Sequence, residues 1–243
     1  MGKRFLCLQG EWNPYTDAGY CTSLTPTPSP SPTRIPDSYG DCPLQNGVAN
    51  CTQTNPLWAD NPFPAGCLND PNKNQLDVAG CGYAVSCSLL CNYVEQSYCN
   101  LQDCMSSVYS WADCYSTVYT HKFIIDTYFQ DSLDAEHILP DVFVDPVTGA
   151  NLDIPRISWQ SLEDATQYGP VMVGGQFIVK ETGEVVEHLS LLVGVNPDGT
   201  RIWNDPFFNP DNTNSLYKIS NNDLEKYIEV IPTNALIITT TSP

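Results

Sequence analysis

The sequence predicts an α+β fold, and three observations carry that prediction. Apolar residues recur at helical spacing through residues 82 to 96 and again from 101 to 129. Three β-rich runs divided by turn residues fill residues 170 to 204. The helix-rich part precedes the strand-rich part, so a helical layer is expected to pack on an antiparallel sheet.

From the amino terminus, residues 1 to 23 are too few for a core of their own, and their Cys7 and Cys21 can pair with each other or tie the segment to the main body. Residues 24 to 36, Leu-Thr-Pro-Thr-Pro-Ser-Pro-Ser-Pro-Thr-Arg-Ile-Pro, cannot donate a regular hydrogen-bond ladder and are expected as an extended polyproline II spacer. Residues 37 to 243 then form one domain. Its first part, to residue 80, is rich in Pro, Gly, Asn and Asp, as in Asn61-Pro62-Phe63-Pro64, and reads as turns and loops. After it, Ala84, Cys87, Leu90, Cys91 and Val94 draw an apolar stripe along a helix over 82 to 96, which puts Cys81 at a helix amino terminus. The stretch from Leu101 to Phe129 reads as helical too, with Val108, Trp111, Ala112, Tyr115 and Tyr119 on one side. His121 within it is expected to be partly buried or on the surface. Strands are expected at 170 to 179, 185 to 195 and 201 to 204, turned by Thr182-Gly183 and Pro197-Asp198-Gly199.

Composition bounds the function. With 28 acidic residues against 10 basic and a net charge of −18, the chain repels a phosphate backbone, so no nucleic-acid partner is expected. Charged residues make up 16% of the chain against roughly 25% in an average soluble protein, a profile that suits secretion. The 11 cysteines suit it as well, because cytosolic reductants keep thiols unpaired. An odd count leaves one thiol over when ten pair. The alternative is structural zinc on Cys87-x3-Cys91 and Cys99-x4-Cys104. No run of 18 apolar residues occurs, so no membrane span is expected. Met1-Gly2-Lys3-Arg4-Phe5-Leu6-Cys7 lacks the apolar stretch of a signal peptide, and Leu6 stands where a myristoylation signal needs Ser or Thr; either an export signal lies upstream or the chain is not secreted.

The leftover thiol is expected to be Cys81. Within Gly80-Cys81-Gly82 it opens a helix, where backbone N–H groups and the macrodipole favour an anion and lower a thiol pKa from its free value of about 8.5. Gln75 lies six positions upstream. His188 is the only histidine in sheet-like sequence.

Taken together, Gln75, Cys81-Gly82, the strand Pro170-Val171-Met172-Val173, Glu187-His188-Leu189-Ser190-Leu191-Leu192-Val193-Gly194-Val195 and Ile202-Trp203-Asn204-Asp205-Pro206 resemble the papain-like cysteine peptidases, in particular the bacteriocin-leader-processing, double-glycine peptidase-like branch. The family's Pro after Cys-Gly is Tyr83 here, and its small residue before the His is Glu187. The resemblance implies a papain-like domain and hydrolysis of a peptide or protein substrate without cofactor or metal. It also implies the roles: Cys81 as nucleophile, His188 as base, the Gln75 amide with the Cys81 N–H as oxyanion donors, and Asp205 as the group orienting the imidazole. Asn204 competes with Asp205, because adjacent strand residues point to opposite faces and the register is open. An inactive papain-like binding module and a metal-stabilised structural module remain as alternatives. The oxygen-rich loop 69 to 77 lacks the Gly-centred spacing of an EF-hand calcium site.

Overall fold

The computed structural model of the chain describes residues 40–42, 44–45, 48–52, 80–112, 116–207 and 224–241. The expected segment 1 to 23, the spacer 24 to 36, Gln75 and the loop 69 to 77 all lie outside them. A two-stranded hairpin, β1 (Leu44–Gln45) and β2 (Val48–Ala49), precedes helix α1 (Cys81–Tyr93). Every residue of α1 from Gly82 to Cys91 is buried. The expected single stripe is therefore too narrow: the helix is packed on all sides, as its small residues Gly82, Ala84, Ser86 and Ser88 allow.

The expected long helix over 101 to 129 is instead two. Helix α2 (Leu101–Ala112) buries Leu101, Cys104, Met105, Val108 and Ala112, a stripe at three- and four-residue spacing. Helix α3 (Val118–Tyr128) starts afresh behind Thr117, whose extended backbone breaks the run and whose hydroxyl accepts from the Thr120 N–H. Its inward face is Val118, His121, Ile124 and Ile125. Tyr119 is consequently not a core residue: it is 64% exposed and lies against the His137 ring.

The strands β3 (Leu133–Ile138), β6 (Val171–Val179), β7 (Val185–Val195), β8 (Arg201–Asn204) and β9 (Ile228–Thr240) form one antiparallel sheet in the order β3-β9-β6-β7-β8. A 3-10 turn (Gln96–Cys99), a side hairpin of β4 (Val142–Val144) and β5 (Asn151–Arg156), helix α4 (Trp159–Ala165) and the single turn α5 (Leu224–Tyr227) complete the elements of the described residues. The turn glycines fall as expected, Gly183 at φ 73° and Gly199 at φ 85°, a region open to glycine at no steric cost. Strand β9, which carries Pro232, sits inside the sheet. It does so through a bulge: Gly174 faces Asn234 while Gly175 faces Pro232, so Thr233 is the extra residue where the missing N–H is tolerated.

Strand alternation sorts two cores. Met172, Leu189, Leu191, Leu236 and Ile238 face α1, α2 and α3. Val171, Val173, Leu192, Ala235 and Ile237 face the other way, onto Leu162 and Ala165 of α4 and the buried Phe177 and Trp203. Full burial of one such large apolar side chain is worth about 1.5–3 kcal/mol. The fold is thus α+β with an antiparallel sheet, as predicted.

Among the described residues three disulfides cross-link the helical side: Cys42–Cys51, Cys87–Cys104 and Cys91–Cys99. The four cysteines with zinc-like spacing are therefore two disulfides. These bridges span 8 to 17 residues, for which the loop-entropy model gives roughly 2.5–3 kcal/mol each. No helix among the described residues is long and apolar enough to cross a membrane.

Candidate active site

Cys81 is the free cysteine among the described residues. It is the first residue of α1, behind Gly80, which offers no side-chain cap, and the intrahelical ladder opens only with the Ala84 N–H on the Gly80 carbonyl. The N–H groups of the first turn are thus left for other partners. Across from this helix start runs β7. Its partner β8 pairs with it only from Leu191 onward, so the backbone at His188 and Leu189 has an open edge there.

His188 is buried on β7, with its ring edge-on to Phe177 at 4.8 Å between centroids and tilted against Phe207 at 5.0 Å. Its Nε2 lies 3.0 Å from Asp205 Oδ2. Nδ1 makes no conventional hydrogen bond, yet the imidazole interacts with the Cys81 thiol. With Nε2 taken by Asp205, Nδ1 is the nitrogen left for sulfur. Asp205 follows β8 directly, and its second oxygen, Oδ1, accepts from the Phe207 N–H. The structure therefore brings Asp205 to the imidazole. Asn204 pairs with Leu191 in the β7–β8 ladder; its side chain is buried and neither amide atom has a hydrogen-bond partner.

Electrostatics couples the three groups. Burial pushes the Cys81 thiol up, but the hydrogen bond and charge of His188, together with the N–H groups of Leu189 and Gly82, bring it below its ordinary value. Burial pushes His188 down, but the charge and hydrogen bond of Asp205, then those of Cys81, raise it to about 10. Both shifts favour the same pair of charges. A thiolate beside an imidazolium held by a carboxylate can attack an electrophilic carbon and hand a proton to the departing group.

Two further features were invisible in the sequence. His121, expected partly buried or exposed, is fully buried at 0%. Its Nδ1 lies 2.7 Å from Ser86 Oγ and its Nε2 3.2 Å from Ser116 Oγ, and burial lowers its pKa to about 4. This ring and Ser116 fill the space beside Gly82, where any Cβ would collide with both. Secondly, Asn50 donates through Nδ2 to the Asp205 carbonyl at 3.1 Å. The partners of each come from separate elements of the chain, so no local pattern announces them. Of the expected site residues, Cys81, His188 and Asp205 come together; Gln75 lies outside the described residues.

Compared with known proteins, the chain matches no family model, no curated protein and no solved structure.

Proposed function

We propose that this chain is a secreted, disulfide-stapled cysteine peptidase of the papain-like kind, hydrolysing peptide bonds. One observation carries the reading: the free thiol of Cys81 faces the imidazole of His188, which is bonded to the Asp205 carboxylate. The placement of the nucleophile at the start of a helix packed on an antiparallel sheet, with the base on one strand and the carboxylate just past the end of the next, supports the papain-like assignment. The disulfides support an oxidising compartment.

In the first half-reaction the Cys81 sulfur attacks the scissile carbonyl carbon and forms a thioester, while His188 gives its Nδ1 proton to the departing amine. In the second, His188 takes a proton from water, the hydroxide attacks the thioester, and the thiolate returns. The oxyanion of each tetrahedral intermediate would be met by the Cys81 N–H and the Gln75 amide.

An inactive binding module would be favoured if Tyr83 crowded the cleft or Glu187 recharged it. Tyr83 is 1% exposed and packed edge-on to Tyr109, so it lies in the core and not across a cleft. Glu187 is exposed and accepts from Gln176 Nε2 at 3.2 Å. Neither residue favours that alternative.

Peptide-library hydrolysis with the native chain and with Cys81→Ser tests the reading, alongside mass mapping of iodoacetamide-labelled protein kept free of reductant. The expected result is label on Cys81, and cleavage that the substitution abolishes. Cys81 recovered in a disulfide, or cleavage unchanged in Cys81→Ser, would overturn it.

A further inference from the structure

The Asp205 carboxylate can orient His188 only as well as its own backbone is held. Oδ1 is fixed by the Phe207 N–H, two residues on, and Oδ2 by the imidazole. Asp205 precedes Pro206, which restricts it to extended backbone but does not anchor it. The anchor comes from 155 positions away: Asn50, 1% exposed, donates from Nδ2 to the Asp205 carbonyl.

The segment that presents Asn50 is tied on both sides to the helix bearing Cys81. Ala49 gives its N–H to Asn92 Oδ1 and takes a bond from Asn92 Nδ2, both at 2.8 Å. Cys51 gives its N–H to Ser88 Oγ at 2.8 Å. Asn92 and Ser88 in turn donate to the Ser88 and Ala84 carbonyls of α1. The Cys42–Cys51 disulfide closes the loop around the β1–β2 hairpin. With residues 49 and 51 spent on α1, the side chain between them reaches the opposite way, to the carboxylate loop. Here a buried amide joins the element of the nucleophile to the element of the orienting acid.

We propose that Asn50 is a positioning residue of this site, which sets the Asp205–His188 geometry and through it the thiolate character of Cys81. The inference rests on the reading of Cys81, His188 and Asp205 as one working unit. It assigns Asn50 no contact with substrate.

The test reads sulfur chemistry alone and needs no substrate. The rate of Cys81 alkylation by iodoacetamide would be followed from pH 4 to 9 in the full disulfide-bonded chain, for the native protein, Asn50→Ala and the near-isosteric Asn50→Asp. Folding of each would be checked by urea unfolding. The native protein should alkylate at pH 5.5. Asn50→Ala should do so roughly three- to tenfold more slowly, the scale of one buried hydrogen bond, with its acid limb moved to higher pH. Asn50→Asp keeps the shape but, ionised, cannot donate to a carbonyl, so it should lose at least as much, and it carries the test if the alanine variant does not fold. Lowered stability with an unmoved acid limb in the folded variants would make Asn50 a structural clamp only and overturn the proposal. A native acid limb near pH 8.5, where a free thiol titrates, would overturn the thiolate–imidazolium reading itself, a different result from any difference between variants.

Discussion

Two histidines lie buried on either side of the start of α1, and burial treats them alike: it penalises the charged ring of His188 and of His121. Their outcomes are opposite. His188, bonded to a carboxylate, is raised to about 10, whereas His121, held between the hydroxyls of Ser86 and Ser116, is lowered to about 4. Hydroxyls satisfy an imidazole without stabilising its charge; a carboxylate does both. The same helix start thus has one ring that is charged at neutral pH and one that is neutral, and only the first holds a proton that it could give to a departing group.

The largest effect is expected from making the first region like the second. Asp205→Asn removes the charge that opposes burial, so His188 should fall below its ordinary range and Cys81 should rise. Alkylation of Cys81 at pH 5.5 should slow about 10- to 1000-fold, the spread of one to three pKa units that a neighbouring charge commands. An Asp205→Asn protein alkylated as fast as the native one would erase the contrast.

Stability against pH gives the next largest effect, with opposite signs for the two rings. An unfolded histidine titrates near 6.5. Native His121 resists the proton down to about pH 4, so its contribution is present above pH 6.5 and is lost as pH falls toward 4, by about 3 kcal/mol. Native His188 holds its proton up to about pH 10, so its contribution is full below pH 6.5 and lost as pH rises through 10. Urea unfolding across pH should find that His121→Gln flattens only the acid limb and His188→Gln only the alkaline one. If both substitutions alter the same limb, the two environments are not what they appear from their partners.

A smaller effect tests the contact between His121 and the helix start. Gly82→Ala would drive its methyl group into Ser116 Oγ and His121 Nε2, with Leu189 Cδ1 at 2.8 Å. Such overpacking should cost about 1–3 kcal/mol, each of which lowers Tm by roughly 2–4 °C at this size. Adding His121→Ala should return part of that loss, read as a coupling in a double-mutant thermal cycle. Additive losses would mean that the ring does not press on Gly82.

How far these regions were legible in the sequence follows from where their partners lie. Cys81 could be read because helical spacing and an odd cysteine count are local facts, and His188 because its run is β-rich throughout. Asp205 could not be told from Asn204: the choice depends on the β7–β8 register, which shifts between Leu192 and Gly194. His121 was misjudged because the apolar side read from Trp111, Tyr115 and Tyr119 assumed one continuous helix, and the break at Thr117 rotates a different face inward. Strand β9 was missed since Pro232 and Asn234 interrupt its β-rich run, and only a bulge reconciles them with a place inside the sheet.

That place of β9 has a consequence for how the protein comes into being. Strands β6, β7 and β8 can zip up as a meander in the order in which they are synthesised, but among the described strands β3 pairs only with β9, whose residues are made about a hundred positions later. Until residues 228 to 240 are made, β3 has helix α3 beside it but no strand partner, and its free edge stays open to water. The helices stapled by Cys87–Cys104 and Cys91–Cys99 need no such wait, because their partners are near in sequence. Sheet closure is thus the late, long-range step, of the kind that slows folding and leaves an unpaired edge exposed to aggregation meanwhile.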